Sequence, residues 1–577
     1  MGFSLFTTKE QTSESDERSD HASVIDAGSL QYTAEGGANS SKLTYQEASG
    51  APIEVESPLG YSVGAITVVF LNLSKMIGTG VFSTPSSVLR GAGSVGLSLI
   101  YWVIGYLMAF SSLCVYMEFA SYFPSRSGSE VVYLEQSYPR PRYFFPTVFA
   151  VQTVIFSFSS SNAVVLAQYL FELAESDYTD WKLKGVAVAS YTVAVLVLVF
   201  DTKWSMRFAN AIGVIKLITL IFIAITGLIV LGGHTAVKDP KLNFRNAFEG
   251  SASASAYGAT NAFMKVMFSY AGYENAFNVV NEVKNPIKTL RWSAPLSLLL
   301  TATLYILAMI GYFAAASKEE ILNSSEVAAS IFFQKVFGSN GASRALNFLI
   351  CLCAFGNLLA VLIGQSRMLR ECGRQGVLPW TKFWTSTRPF GTPLGPYFIK
   401  WLLTIVMIVA PPAGDAFNFV VDLSMYPANA FYFLLAVGLV ITRYRRQKLN
   451  IPRSEYRAWD IAVLFSILSN LYMLIAPWYP PTTGANGGDV SFWYATYCAV
   501  GLGIIGACAI YYFVWIKILP RYGGYEYRQS ILHLDDGATA HSLVKVPNDQ
   551  IAKWDDEHDA AGRLRHRVAH STSSEEK

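Results

Sequence analysis

The sequence predicts an all-α polytopic membrane protein of twelve transmembrane helices, and three observations carry that prediction. Of its 577 residues, 52% are hydrophobic against 15% charged, and the mean hydropathy is positive, a balance foreign to soluble globules. The apolar residues gather into successive runs of about 20, enough at a rise of about 1.5 Å per residue to cross roughly 30 Å of hydrocarbon. Two of those runs are interrupted by glycines and polar residues at corresponding places in the chain.

The elements follow in order. Residues 1–58 are rich in Ser, Glu, Asp and Gly, so they bury too little apolar surface to offset the entropy of ordering. A disordered cytoplasmic tail is expected there, with Lys9, Lys42 and nearby serines either modification sites or plain solvated residues. No cleavable signal peptide is visible, so the first span serves as the anchor. That span runs from Val63 to Leu89, with the centre Ser74-Lys75-Met76-Ile77-Gly78-Thr79-Gly80-Val81-Phe82. Two glycines in three residues cost a helix roughly 1 kcal/mol each, and a lysine and a threonine sit beside them at mid-membrane depth. An opened backbone survives in hydrocarbon only where it lines a cavity or is buried in protein. A broken helix at a site is therefore expected.

Further runs lie near 95–118, 143–172, 185–200, 204–231, 257–281, 292–315, 344–371, 396–412, 415–441, 458–478 and 491–516, each read as one span. Residues 59–520 are expected to form the twelve-span membrane domain and 521–577 a cytoplasmic tail. In that tail Asp535, Asp536, Asp555, Asp556, Arg563, Arg565 and Arg567 suggest a solvated segment with a short amphipathic helix. Lys and Arg are more frequent in the loops after even-numbered spans, from Arg126, Arg140 and Arg142 to the cluster between Arg443 and Arg457, which sets both termini inside. The sequon Asn323-Ser324-Ser325 then lies outside and is a glycan acceptor by pattern alone.

Composition also excludes chemistries. Net charge is +3 and the seven histidines fall in tails or loops, so no metal site, cofactor, nucleic acid or histidine relay is expected. The spans show neither histidine nor paired catalytic carboxylates, which argues against an enzyme. Six cysteines, Cys114, Cys351, Cys353, Cys372, Cys498 and Cys508, lie in or at the ends of spans and read as packing residues rather than a disulfide framework.

The second interruption, Phe268-Ser269-Tyr270-Ala271-Gly272-Tyr273-Glu274-Asn275, falls in the sixth span. Five spans separate the two breaks, so the broken helices cross in opposite directions, as in two inverted five-span halves. The half-helix beginning at Gly78, Thr79 and Gly80 exposes amide N–H groups and a positive dipole end. The half ending near Phe268, Ser269 and Ala271 presents carbonyls and a negative end. Facing each other, the two ends suit a carboxylate and an ammonium group, the head of an α-amino acid; the plainer alternative is two packing glycines in ordinary helices.

These residues resemble a known family. Gly78-Thr79-Gly80 with Phe82 and Pro85, the sixth-span break followed by Glu282-Val283-Lys284-Asn285-Pro286, Pro124-Ser125-Arg126-Ser127-Gly128 before Tyr133, and Gln365-Ser366-Arg367 before Gly376-Val377-Leu378-Pro379 are similar to amino acid permeases of the amino acid-polyamine-organocation superfamily. Among these the chain most resembles fungal L-type and high-affinity methionine permeases, over roughly residues 58–520. The resemblance implies a leucine-transporter-type fold with a 5+5 inverted repeat, a plasma-membrane location, and neutral amino acids as substrates. Ile77, Gly78, Thr79 and Gly80 would then hold the substrate carboxylate, and Phe268, Ser269, Ala271 and Gly272 would form the amino-group side, with Phe268 also a gate. Lys216 matches a fifth-span lysine that takes the place of a sodium ion, which implies proton coupling. Read from the residues alone, Lys216 either alternates between charge states or stays charged on first-span carbonyls.

Glu274 departs from the family pattern, which has an uncharged residue there. It is a carrier of the coupled proton, a determinant of cationic substrates, or a structural partner of Lys75 or Lys265. Asp422 and Glu118 are weaker candidates that cap or pair. The expected function is import of a neutral amino acid with a proton by alternating access, since no phosphate-binding G-x-x-x-x-G-K-[ST] loop is present. The alternatives are a non-transporting sensor, an exchanger, or a permease for cationic amino acids or amines.

Overall fold

A computed structural model describes residues 61–558 and Gly562, apart from positions 62, 125, 201, 236, 284, 324–327, 339–340, 411–412, 449, 452, 483, 487, 489, 491 and 535–538, and adds three strands nearer the N-terminus. Those strands, β1 (Ile25–Asp26), β2 (Gln31–Glu35) and β3 (Thr44–Glu47), pair antiparallel inside the tail expected to be disordered. The rest of that tail, with Lys9 and Lys42, lies outside the described residues, as do Ser324, Ser325, Asp535, Asp536, Arg563, Arg565 and Arg567.

The body is helical. The first expected span is α1 (Ala65–Met76), α2 (Gly80–Ser83) and α3 (Pro85–Ala92). Next come α4 (Val95–Tyr122), α5 (Glu130–Ser137), α6 (Phe144–Ile155), α7 (Ser160–Ala174), α8 (Asp180–Val199), α9 (Thr202–Leu231), α10 (Ala256–Tyr270), α11 (Pro286–Ala315) and α12 (Gly341–Arg374). The series closes with α13 (Leu394–Val409), α14 (Ala413–Lys448), α15 (Asp460–Ile475) and α16 (Thr496–Tyr512). Among the described residues 10 helices are long and apolar enough to cross a membrane, and α13 is a shorter apolar helix. The run expected at 257–281 is helical for only 15 residues, to Tyr270.

The run expected at 143–172 stands as one candidate span, Phe144–Ala174, but it is interrupted: Ile155 ends α6 and Ser160 begins α7. The backbone freed there is taken up from α13, where Lys400 donates to the Ser157 carbonyl at 2.6 Å and Thr404 accepts the Ser159 amide at 3.0 Å, partners that hydropathy does not reveal.

Outward faces carry Ile218, Ile225, Leu296, Leu299, Leu464 and Leu468, all exposed, as a lipid-facing surface requires. Inside, α1 packs on α9, α11 and α12. Its start is pinned to the far side of the second break, where the Val63 amide donates to the Glu282 carbonyl at 3.2 Å. The C-terminal segment holds a hairpin of β4 (Tyr525–His533) and β5 (Thr539–Pro547) followed by a helix at Ile551–Glu557. The hairpin touches the helical body, with Arg374 donating to the Thr539 carbonyl at 2.9 Å.

Candidate functional site

The first break is real and short. Ile77 leaves the helical region at φ −71°, ψ 83°, and the Gly78 amide turns back to the Met76 carbonyl at 2.8 Å. The helix resumes when Phe82 and Ser83 donate to the Thr79 carbonyl at 3.2 and 2.9 Å. The amides of Thr79, Gly80 and Val81 therefore precede the first bond of the restarted helix.

In the second break, α10 stops at Tyr270 and Ala271 turns to φ −59°, ψ 125°. Gly272 then takes φ +135°, a conformation open to glycine and strained for any L side chain. The following stretch, Asn275–Glu282, winds as a tight 3₁₀ coil. The breaks touch: a Cβ on Gly272 would stand 2.8 Å from the Met76 nitrogen, and one on Gly80 would stand 2.6 Å from Ser269 Oγ. Both expected openings thus exist and meet.

Neighbouring side chains take up the backbone groups that the breaks release. Lys216 is fully buried, and its ammonium donates to the carbonyls of Ser74 and Ile77 at 2.6 Å each, where the end of α1 concentrates negative potential. Asn357 reaches the Lys75 carbonyl and, at 3.4 Å, that of Ser74. Tyr305 joins both breaks, its hydroxyl lying 2.6 Å from the Met76 carbonyl and 3.1 Å from that of Ser269. Asn72 receives the Ala276 amide at 2.8 Å and donates to the Tyr273 carbonyl at 2.8 Å.

Glu274 bridges the breaks by charge: Oε1 pairs with Lys75 at 2.6 Å and Oε2 accepts the Gly272 amide at 2.8 Å. Lys265 is bound elsewhere, to Asp422 at 2.9 Å. Glu118 pairs with Arg443 at 2.6 Å and caps the Ala458 amide at 2.7 Å, so both weaker candidates are occupied in ion pairs.

A cavity of about 210 Å³ lies against the breaks, small beside the roughly 300–1,000 Å³ of drug-sized pockets. Of the expected contacts, Gly78, Thr79, Gly80, Phe268, Ala271 and Glu274 line it. Ile77, Ser269, Gly272 and Lys216 do not: Ile77 and Lys216 bond each other behind the wall, Ser269 turns its hydroxyl to the Lys265 carbonyl at 2.9 Å, and Gly272 packs on the first break. The wall opposite is apolar, with Phe149, Phe431, Val420 and Met425. Asn357, Gln152, Asn162 and Glu130 add polar groups that the sequence reading did not single out. Thr79 donates to Asn162 at 2.6 Å, which ties the restarted helix to α7.

A family model described as amino acid permease matches residues 63–505. The chain belongs to the amino acid permease family. The permease is 35% identical over 499 residues to a high-affinity methionine permease of Saccharomyces cerevisiae, covering 86% of each chain. It is 30% identical over 498 residues to a low-affinity methionine permease of the same yeast, covering 85% of this chain and 89% of that one. A human cystine/glutamate transporter is 27% identical over 413 residues, 70% of this chain and 79% of the relative. The family is one of transporters and not of enzymes, and the opened helices of this permease are the feature a carrier needs: backbone groups freed within the helical body beside a small cavity.

Proposed function

We propose that the permease imports neutral L-amino acids, methionine or one similar, together with a proton, by alternating access in the plasma membrane. The observation that carries this reading is the meeting of two oppositely directed helix ends beside one cavity, the amino end of α2 at Thr79–Gly80 and the carboxyl end of α10 at Phe268–Ala271. The first suits a carboxylate and the second an ammonium group. Gly78, Thr79 and Gly80 take the carboxylate; Phe268 and Ala271 take the amino group. Ile77, Ser269 and Gly272 support them from behind, and Lys216 holds the first break in place of a metal ion.

The apolar wall of Phe149, Val420, Met425 and Phe431 suits an unbranched apolar side chain, in keeping with the methionine permeases among the relatives. Lys75 occupies Glu274, which weighs against a site for cationic substrates. From the breaks the cavity runs on to Glu130, Met368 and Leu369, near the ends of α4 and α12 that the basic loops assign to the cytoplasm. On this reading the cavity opens inward, residues 59–520 form the carrier, and the segments 1–58 and 521–577 are cytoplasmic tails.

The test is uptake of labelled methionine by reconstituted protein under an imposed pH gradient and voltage. One charge falling through about 100 mV supports roughly fiftyfold accumulation. Accumulation that survives collapse of both gradients ends the symport reading. Binding without uptake would make the protein a sensor.

A further inference from the structure

Glu130 lines the cavity without belonging to either break. It begins α5 directly after Gly128 at φ +87° and Ser129 at φ +34°. Positive φ at a serine is strain of the kind that persists where a side chain must be aimed. The carboxylate is buried, with Oε1 receiving the Tyr116 hydroxyl at 2.5 Å and Oε2 beside the Ser129 hydroxyl. Among the described residues no lysine or arginine forms an ion pair with it. The titratable groups facing it are Tyr116 on α4, Tyr133 on α5, Cys372 on α12, Tyr432 on α14, and Tyr273 and Glu274 from the second break. None is a cation. Burial raises the Glu130 carboxyl above its ordinary value and Glu274 adds to the rise, while the Ser129 and Tyr116 hydroxyls oppose it.

With the Asn278 amide as it stands, the hydrogen bonds around it do not close with a charged carboxylate. Ser129 Oγ stands between Glu130 Oε2 and Asn278 Oδ1, the latter at 2.7 Å. A hydroxyl has one proton and cannot donate fully to both. With a proton on Glu130 every bond is matched: the carboxyl donates to Ser129 and Ser129 donates to Asn278. With Glu130 charged, Ser129 turns to it and Asn278 must offer a donor. Asn278 Nδ2 has no hydrogen-bond partner in this arrangement, so a half-turn of its amide supplies that donor. The cluster accommodates both states.

We propose that Glu130 carries the coupled proton, taking it from cavity water when the cavity faces outward and returning it to cavity water when it faces inward. The inference rests on the symport reading above. As substrate departs, the O–H bond of Glu130 breaks, cavity water receives the proton as hydronium, and the Ser129 hydroxyl turns from Asn278 to the carboxylate while the turned Asn278 amide donates to Ser129 Oγ. The carboxylate stays behind, and one positive charge has crossed with each zwitterion. Glu274 is the poorer carrier because both its oxygens are already engaged, Oε1 by Lys75 and Oε2 by the Gly272 amide.

The experiment uses full-length protein in vesicles containing a pH-sensitive dye. It compares wild type, Glu130→Gln and Glu130→Asp for methionine-evoked lumenal acidification, gradient-driven uptake and methionine counterflow. For Glu130→Gln the expected result is counterflow close to wild type, no acidification, and a fall from roughly fiftyfold accumulation at about 100 mV to none; Glu130→Asp restores acidification. Acidification by Glu130→Gln at the wild-type ratio of protons to methionine overturns the inference and leaves symport standing. No acidification by wild type overturns symport itself, and the role of Glu130 with it. If Glu130→Gln also loses counterflow, restoration of coupled uptake by Glu130→Asp supports the proposal and its absence refutes it.

Discussion

Lys75 of the first break and Glu274 of the second stand 2.6 Å apart with side chains 10% and 5% exposed, so one ion pair fastens together the two openings of the membrane domain. Removing one member of a buried pair strands the other charge, at a cost of about 3–5 kcal/mol, whereas removing both costs far less. Lys75→Gln and Glu274→Gln are each expected to lower thermal stability in detergent and abolish methionine counterflow. The double variant is expected to regain much of both, with a coupling of about 1–3 kcal/mol. Strict additivity of the two single effects would show that the pair is incidental.

Lys216 tests whether a fixed cation keeps the first break open. Its ammonium meets the Ser74 and Ile77 carbonyls at 2.6 Å each, and each buried carbonyl left without a donor costs about 1–3 kcal/mol. Lys216→Met is expected to weaken methionine binding by at least about tenfold, read by scintillation proximity on purified protein. Lys216→Arg should fare no better, because a planar guanidinium does not fit where a point charge sits between two converging carbonyls. Wild-type affinity in both variants would refute the anchoring role.

Tyr305→Phe is a cleaner probe of communication between the breaks. The ring is held by Trp102 at 5.6 Å in an edge arrangement and by Tyr270 at 5.4 Å, so packing survives loss of the hydroxyl. What disappears is the link between the Met76 and Ser269 carbonyls. Exchange rate is expected to fall several-fold while melting temperature changes little, since the net loss is about 1 kcal/mol. A large drop in melting temperature with unchanged exchange would reverse that assignment.

The two breaks were legible in sequence because glycine and polar residues inside an apolar run are a local signal. The consequence of Lys216 for the first break was legible through resemblance to the family, and its bonds to first-span carbonyls agree with one of the two readings the residues allowed. Asn357 and Tyr305 were not legible. Each serves a carbonyl more than 200 positions away, and an asparagine or tyrosine within a span carries no mark of its partner. The gap between Ile155 and Ser160 was missed because phenylalanines flank its serines and keep the window apolar. The hairpin at Tyr525–Pro547 was missed for a different reason: its strands alternate poorly, and half-buried positions succeed one another along β4. Of the eight proposed substrate contacts, Ile77, Ser269 and Gly272 do not line the cavity: resemblance to a family locates a break but not which way each residue faces.

Gly80 offers a test in which partial rescue is the diagnostic result. A methyl there would stand 2.6 Å from Ser269 Oγ, 2.9 Å from its Cβ and 2.8 Å from its Cα. The side-chain atoms can be removed by mutation, whereas the Cα can only move with the backbone of α10. Gly80→Ala is therefore expected to force the restarted helix away from α10 and abolish uptake. Adding Ser269→Gly removes the first two contacts and leaves the third, so uptake should return in part, with stability still lowered by about 1–3 kcal/mol for the residual crowding. Ser269→Gly alone should retain transport, because the Ser269 side chain faces Lys265 and Thr84 rather than the cavity. Full activity in Gly80→Ala would mean that the two half-helices separate at this point during the transport cycle by more than the crowding requires. Failure of Ser269→Gly to rescue at all would mean that the Gly80 amide needs freedom from a side chain for the substrate carboxylate itself. Binding measurements distinguish these causes: crowding lowers the active fraction of protein, whereas an obstructed amide lowers affinity in the fraction that remains.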